Sequence, residues 1–254
     1  MTAPGPALDL STYLVTDTAL CAPRSVPQVV AAAVRGGATC VQVREKSADG
    51  RAFLALVRAV VEAAGGVPVL VNDRLDVALA ARQSGVDVAG VHLGQSDLPP
   101  RAARALLWAG AVIGVSVTNR SELDEVVAWP AGTVDHLGVG PVHQTDTKPG
   151  HAPVLGLDGA ARLAAATHLP CVAIGGLHAG LAGTLRSAGF AGAAYVSAIC
   201  ASAEPERAAR QIALAWSGPE NSADRSTGLR PRKVRPRGNR PLVGRPIGIG
   251  PAEV

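Results

Sequence analysis

Hydrophobic and polar positions along this chain form short apolar runs separated by longer segments with the spacing of an amphipathic helix. The short runs are rich in Val, Ile and Leu, which favours strands, and the longer segments are rich in Ala, Leu and Arg, which favours helices. We predict strands at 13–17, 40–46, 68–72, 90–94, 111–117, 134–140, 171–176 and 193–198. We predict helices at 27–35, 50–64, 73–82, 98–108, 121–128, 157–167, 179–188 and 204–216.

Eight successive strand-then-helix units predict a parallel sheet with right-handed connections. Because eight parallel strands also close a barrel, the predicted fold class is α/β, a (β/α)8 TIM barrel. A doubly wound open sheet is the alternative. Its dinucleotide-binding form is disfavoured because no Gly-x-Gly-x-x-Gly motif follows the first predicted strand.

The net charge of +4 is concentrated at one end of the chain. Residues 217–254 hold eight Arg or Lys against three Asp or Glu, whereas residues 1–216 hold 16 against 17. The terminal stretch is rich in Arg, Pro and Gly without apolar periodicity, so we predict a barrel domain over 1–216 and a disordered basic tail over 217–254. The tail has no interleaved aromatic residues for base stacking, and we expect no specific nucleic-acid role.

Hydropathy and cysteine usage point to a cytoplasmic protein. No apolar run approaches the roughly 20 residues of a membrane helix, and the first residues lack the pattern of a signal peptide. The four cysteines show neither metal-ligand spacing nor a disulfide framework, which favours reduced cysteines in a core. The oligomeric state is left open, and a homo-oligomer is one possibility.

Polar residues or glycines recur at the carboxyl ends of the second to eighth predicted strands, where TIM barrels carry their chemistry. Side chains alternate along a strand, so residues 42, 44 and 46 of VQVREK share one face. The alternative for this stretch is a solvated cationic edge. The polar residues at these strand ends are Gln42, Arg44, Lys46, Asn72, Asp73, Arg74, His92, Gln95, Ser96, Asp97, Ser116, Thr118, His143, Gln144, Thr145, Thr147, Lys148, Gly175, Gly176 and Ser197.

Two carboxylates and three of the cations in this set indicate a diphosphate site with magnesium. Asp73 and Asp97 follow neighbouring predicted strands, and oxygen ligands that leave room for water and substrate phosphate suit Mg²⁺. Arg44, Lys46 and Lys148 would stabilise the charge of a leaving diphosphate. The alternative is that each aspartate caps the helix that follows it.

A second anion site is predicted after the last two strands. Gly175 and Gly176 follow strand seven and Ser197 ends strand eight, a common phosphate-binding place in these barrels. A tight turn would explain the glycines equally well. Residues 145–149, with two threonines and a lysine, predict a loop that covers a phosphate, and an ordinary surface loop is the alternative.

Together these motifs resemble the thiamine-phosphate synthase family, also called thiamine-phosphate pyrophosphorylase. The resemblance covers residues 13–199, in the family's order and spacing, through YLVTD, VQVREK, VNDR, GVHLGQSDLP, GVSV, GVGPVHQTDTKPG, VAIGG and VSAI. It implies a (β/α)8 barrel that joins 4-amino-5-hydroxymethyl-2-methylpyrimidine diphosphate to 4-methyl-5-(2-hydroxyethyl)thiazole phosphate. Diphosphate leaves first, and the thiazole nitrogen captures the resulting pyrimidine methylene cation.

The resemblance also implies roles for individual residues, with Mg²⁺ as the cofactor, bound by Asp73 and Asp97. Expected catalytic residues are Arg44, Lys46, Ser116 and Lys148. Expected substrate-binding residues are Gln42, Val43, Arg44, Glu45, Lys46, Asn72, Ser116, Thr145, Asp146, Thr147, Lys148, Gly176, Val196 and Ser197. The basic tail lies outside the family's pattern. Alternative functions are a related barrel that isomerises a thiazole phosphate and a non-catalytic regulator.

Overall fold

The computed structural model describes residues 8–145 and 152–221, and eight parallel strands in it close a barrel. The strands, numbered β1 to β8 in chain order, are Thr12–Val15, Cys40–Val43, Val69–Asn72, Gly90–Leu93, Val112–Val117, His136–Val139, Cys171–Ile174 and Gly192–Tyr195. Each strand pairs with the next along the chain, and β8 pairs with β1. The predicted (β/α)8 barrel is therefore confirmed, and the open sheet is excluded.

Helices surround the barrel, and each of the eight predicted helices has a counterpart. Numbered α1 to α10, they are Thr18–Cys21, Val26–Arg35, Gly50–Ala64, Leu75–Gln83, Pro100–Leu106, Arg120–Val127, Gly156–Ala165, Ala182–Ser187, Ser197–Cys200 and Pro205–Asn221. The short helices α1 and α9 are not in the prediction, and the predicted helix 179–188 begins as a 3-10 turn, Ala179–Leu181. Helix α10 passes the predicted end at residue 216 and is broken at Gly218, where φ is 64° and ψ 172°.

The barrel and its helices up to Gly218 belong to one unit of the chain. Residues 222–254 lie outside the described residues. The disordered tail and the domain boundary at 216 thus stay predictions. Among the described residues, none of the helices has the length and apolarity needed to cross a bilayer.

Two apolar layers follow from the alternation of side chains along the strands. On β2, Val41 and Val43 are fully buried against the helices, whereas Cys40 packs inside the barrel. Tyr13 and Leu70 belong to the same inner layer. Burying each such aliphatic side chain contributes about 1.5–3 kcal/mol. The inner layer fills space that the strands enclose.

Helix α3 matches its predicted bounds because both ends carry a strong local signal. Asp49 accepts a hydrogen bond from the Ala52 N–H at 2.8 Å and caps the amino terminus, a contact worth about 1 kcal/mol. Gly65 ends the helix in the left-handed conformation, with φ 56°. Phe53, Val57 and Val60 then face the barrel on one stripe.

Candidate active site

A cavity opens at the carboxyl ends of the strands and gathers most of the predicted site residues. It holds about 1220 Å³ of space, including the solvent at its mouth. The predicted residues that line it are Gln42, Arg44, Lys46, Asn72, Asp73, Ser116, Thr145, Gly176, Val196 and Ser197. These residues come from six of the eight strand units, and Tyr13 of β1 and His92 of β4 also line the cavity, so all eight units meet there.

The VQVREK segment presents its predicted polar face to this cavity. Gln42 lies in the strand, is 4% exposed and donates from Nε2 to Tyr13 Oη at 3.1 Å. Strand β2 ends at Val43, so Arg44 and Lys46 lie just beyond it, but both still line the cavity. The alternative of a solvated cationic edge is wrong, because a closed barrel leaves β2 no open edge.

Two neighbours in this segment lie elsewhere. The Val43 side chain is buried in the layer between barrel and helices. Glu45 accepts a hydrogen bond from Thr18 Oγ1 at 2.5 Å. That hydroxyl, with the Ser47 N–H, lowers the pKa of Glu45 to about 2. Neither Val43 nor Glu45 is among the residues that line the cavity, so their predicted part in substrate binding stays a prediction.

Asp73 sits at the cavity in a strained turn. Its φ is 62°, in the left-handed region that side chains other than glycine rarely adopt. The Arg74 N–H donates to the Asn72 carbonyl at 2.7 Å and closes a three-residue turn around Asp73. The N-cap of α4 is Arg74 without a side-chain bond, so the helix-cap alternative for Asp73 is wrong.

Asp97 folds back toward the end of β4. Its Oδ2 accepts the Gly94 N–H at 2.7 Å, and Gly94 lines the cavity although Asp97 itself does not. The N-cap of α5 is Pro99, so Asp97 does not cap that helix either. Among described residues, no group of three or more His, Cys, Asp or Glu converges as a metal cage. Two carboxylates and no soft ligand fit Mg²⁺, which takes its other oxygens from water and substrate.

Ser116 is held from two sides at the end of β5. Its Oγ lies 3.0 Å from His92 Nε2, and its carbonyl accepts from Gln95 Nε2 at 2.6 Å. His92 comes from β4 and also lines the cavity. The sequence placed His92 near the site without a role, and the structure makes it the neighbour that orients Ser116.

His136 lies deeper in the barrel and is 1% exposed. Within the described part of the chain, neither of its ring nitrogens has a hydrogen-bond partner. Burial, partly offset by nearby Asp135, lowers its pKa to about 4, so the ring is neutral near pH 7. A Cβ on Gly114 would overlap the rings of both His136 and His92, so a glycine is needed at that position.

The glycine pair after β7 has a packing role in addition to its position at the cavity. Gly175 and Gly176 both have positive φ, 100° and 63°. A Cβ on Gly176 would come within 2.7 Å of His143 Cβ and 2.8 Å of the Gln144 carbonyl oxygen. Both glycines line the cavity. The tight-turn explanation and the phosphate-site explanation are thus compatible at these residues.

Three predicted site residues, Asp146, Thr147 and Lys148, lie outside the described residues, and their roles stay predictions. Sequence reasoning missed Tyr13 and Asp17. Tyr13 binds Gln42, and Asp17 forms an ion pair with Arg44 at 3.0 Å. Both contacts depend on the register of β1 against β2, in which Val15 lies opposite Gln42, and the sequence pattern does not give that register.

Comparison with known proteins agrees with this geometry. A family model described as thiamine monophosphate synthase matches residues 12–199. The thiamine-phosphate synthase of Azorhizobium caulinodans is 45% identical over 206 residues, 80% of this chain and 93% of that protein. That of Albidiferax ferrireducens is 45% identical over 205 residues, 80% of this chain and 90% of that protein.

Among solved structures, the thiamine phosphate pyrophosphorylase from Pyrococcus furiosus superposes with a TM-score of 0.70 at 31% identity. The match covers 81% of this chain and 94% of that one. Sequence, fold and the contents of the cavity agree, and the chain belongs to the thiamine monophosphate synthase family.

Proposed function

We propose that this protein condenses 4-amino-5-hydroxymethyl-2-methylpyrimidine diphosphate with 4-methyl-5-(2-hydroxyethyl)thiazole phosphate, giving thiamine phosphate and diphosphate. Family membership supports an enzyme of this transferase class. The observation that carries the assignment is one cavity with two anion-binding sets. Arg44 and Lys46 follow β2 on one side, and Gly176 and Ser197 follow β7 and β8.

The first chemical step breaks the bond between the pyrimidine methylene carbon and the diphosphate oxygen. The electron pair leaves with the diphosphate, so negative charge grows on that group as the bond lengthens. Arg44 and Lys46 line the cavity where this charge would develop. Preorganised cations stabilise such a transition state without reorganisation cost. Lys148, assigned by family resemblance, would add a third cation.

Asp73 and Asp97 are the residues that would hold Mg²⁺. The strained turn points to a function for Asp73, and Asp97 lies next to the cavity-lining Gly94, whose N–H donates to Asp97 Oδ2. Bound there, Mg²⁺ would supply positive charge to the diphosphate.

The second step forms the carbon–nitrogen bond. The thiazole nitrogen gives its lone pair to the methylene carbon and becomes a thiazolium, so no protein nucleophile is required. We assign the pyrimidine to Gln42, Asn72 and Ser116, which line the cavity. The thiazole phosphate is assigned to Thr145, Thr147, Gly176, Val196 and Ser197.

The alternative functions are not favoured. Curated relatives that are 40–45% identical are named as synthases. An isomerase of thiazole phosphate would not need the cations and carboxylates that accompany the glycine-bounded site. A regulator that acts through the basic tail would not need them either.

We also propose small-molecule substrates as the partners and the cytoplasm as the location. The four cysteines, at 21, 40, 171 and 200, are free and buried, which suits a reducing compartment.

A coupling assay tests the function. The full chain is incubated with both substrates and Mg²⁺, and thiamine phosphate is measured by chromatography and mass spectrometry. We expect turnover by the wild type and a loss of about a hundredfold in Asp97→Ala, the scale of one electrostatic group. Asp87→Ala is the matched control, because Asp87 is an 89% exposed carboxylate paired with Arg82 on the surface.

Absence of thiamine phosphate with the wild type, or equal rates in both variants, would contradict the assignment. A chain cut after Asn221, which keeps α10 whole, tests the alternative of a regulator that acts through the basic tail. Full activity of that shorter chain would exclude a main function in the tail.

A further inference from the structure

The residues that follow β1 hold the residues that follow β2. Thr16 is fully buried, and its Oγ1 accepts the Arg44 N–H at 3.0 Å and lies 3.4 Å from the Arg44 carbonyl oxygen. One threonine hydroxyl therefore contacts both polar groups of the Arg44 backbone. The path of the chain at Arg44 is fixed just after the strand has ended.

The Arg44 side chain is fixed by the next residue. Asp17 Oδ2 accepts from Arg44 Nη1 at 3.0 Å, and the two side chains are 18% and 12% exposed. Asp17 Oδ1 accepts the Leu20 N–H at 3.2 Å and caps α1. Because its other oxygen is bound to the helix, the Asp17 carboxylate is a rigid partner for the guanidinium.

The third residue fixes Glu45. Thr18 Oγ1 donates to Glu45 Oε2 at 2.5 Å, while Glu45 Oε1 accepts from the Ser47 N–H and Oγ, each at 2.8 Å. These bonds lower the pKa of Glu45 to about 2, so the carboxylate is ionised at neutral pH. Three consecutive residues thus bind the two residues that follow Val43.

We propose that residues 16–18, the β1 clamp, are positioning residues that hold Arg44 in the orientation that binds the substrate's diphosphate. The inference rests on the proposed function, because the diphosphate is the ligand assigned to Arg44. A free arginine side chain has many rotamers, and binding a ligand in one orientation costs the entropy of the others. A clamp that removes this freedom before binding lets more of the interaction energy reach the departing diphosphate.

Asp17 could also affect diphosphate binding through its charge, and this effect would change the affinity in the opposite direction. The Asp17 carboxylate also offsets part of the positive charge of Arg44, and that alone would weaken attraction for a diphosphate. The guanidinium has five N–H donors in a fork, and the bond to Asp17 involves Nη1, so this bond orients the group at the cost of one nitrogen's position rather than of its charge. The clamp therefore predicts weaker diphosphate binding without Asp17, whereas simple charge offset predicts tighter binding.

The test measures binding of inorganic diphosphate with Mg²⁺ by calorimetry, together with KM and kcat for both substrates. For Asp17→Ala we expect the diphosphate Kd and the pyrimidine diphosphate KM to rise about fivefold to tenfold, the scale of one freed side chain. The KM for thiazole phosphate should stay within about twofold of the wild type. Asp17→Asn keeps an acceptor for Arg44 and a helix cap, so it should recover most of the loss.

Asp135→Asn is the matched control, because Asp135 forms the corresponding pair with Arg104 at the other end of the barrel. Its diphosphate Kd should equal that of the wild type. Thr18→Val, which removes only the hydroxyl from Glu45, decides the question if Asp17→Ala does not fold. A diphosphate Kd about twofold to fivefold higher is then expected, since one hydrogen bond is lost.

Several results would overturn the clamp. One is unchanged or tighter diphosphate binding in Asp17→Ala, and another is an equal rise in the KM values of both substrates. If Asp17→Ala does not fold, an unchanged diphosphate Kd in Thr18→Val has the same meaning. A wild type that does not bind diphosphate overturns it too. A wild type that binds diphosphate but forms no thiamine phosphate overturns the proposed function alone, and the binding measurements still decide the clamp.

Discussion

Two arginine–aspartate pairs lie at opposite ends of the barrel and use the same chemistry differently. Arg44 and Asp17 meet at 3.0 Å where β1 and β2 end, and Arg44 lines the cavity. Arg104 and Asp135 meet at 2.6 Å, where Asp135 directly precedes β6. The first pair brings an arginine to the cavity, whereas the second joins helix α5 to the segment that enters β6.

The surroundings of the second pair show what it does. Arg104 also donates to the Ala111 carbonyl at 2.5 Å and the Thr133 carbonyl at 3.3 Å, and Asp135 accepts the Ile113 N–H at 2.7 Å. All of these groups belong to the chain just before or within β5 and β6. The comparison teaches that the barrel separates its tasks, with stability at the amino ends of the strands and chemistry at the carboxyl ends.

The largest expected effect is that of Arg44→Ala on catalysis. Loss of one preorganised cation should lower kcat/KM for coupling by a hundredfold to a thousandfold, about 3–4 kcal/mol. The free energy of unfolding should change by about 1 kcal/mol or less, because Arg44 lies at an open cavity where water screens its ion pair with Asp17. Initial rates and urea titrations measure the two quantities. A loss of less than tenfold in kcat/KM for Arg44→Ala would contradict a catalytic role for the arginine at the carboxyl ends of the strands.

The next effect concerns pH and comes from His136, beside Asp135. Its pKa is about 4 in the folded protein and near 6.5 when unfolded, so the unfolded state binds the proton between these values. The contribution of His136 to the free energy of unfolding is fully present above pH 6.5 and is lost as the pH falls toward 4. The total is about 3 kcal/mol, at 1.36 kcal/mol per pH unit.

Urea titrations at pH 7, 5.5 and 4 test this, with His136→Gln as the variant that cannot titrate. The wild type should lose more stability than the variant over this range. Parallel pH profiles of the two proteins would show that His136 does not carry the effect.

The same comparison shows what the sequence could predict. Alternation in VQVREK and the barrel rule together predicted that Gln42, Arg44 and Lys46 share the site, and both signals are local or topological. The partner Asp17 was not predicted, because it depends on the register of β1 against β2. The positive φ of Asp73 and the burial of His136 against Gly114 depend on backbone geometry and packing across strands, which no local pattern encodes.

A smaller effect is expected from Arg104→Ala at the amino end. The Arg104 and Asp135 side chains are 26% and 36% exposed, which reduces the contribution of their ion pair to stability. We therefore expect a loss of about 1–2 kcal/mol in the free energy of unfolding. The kcat/KM of the folded enzyme should stay within about twofold of the wild type. Arg104→Lys should recover little, since an ammonium lacks the fork geometry that reaches three acceptors. A loss of activity with unchanged stability would reverse the assigned roles.

The smallest effect is expected where neither end of the barrel is involved. Arg120 and Asp124 pair at 2.8 Å on the surface of α6, with 68% and 54% of their side chains exposed. A double-mutant cycle with Arg120→Ala and Asp124→Ala should give a coupling energy of about 0.3–0.5 kcal/mol, because water and salt screen the charges. Raising the ionic strength to about 1 M shortens the screening length to roughly 3 Å and should remove most of it. A coupling as large as the loss in Arg104→Ala would mean that burial and backbone acceptors are not what gives the amino-end pair its stabilising role.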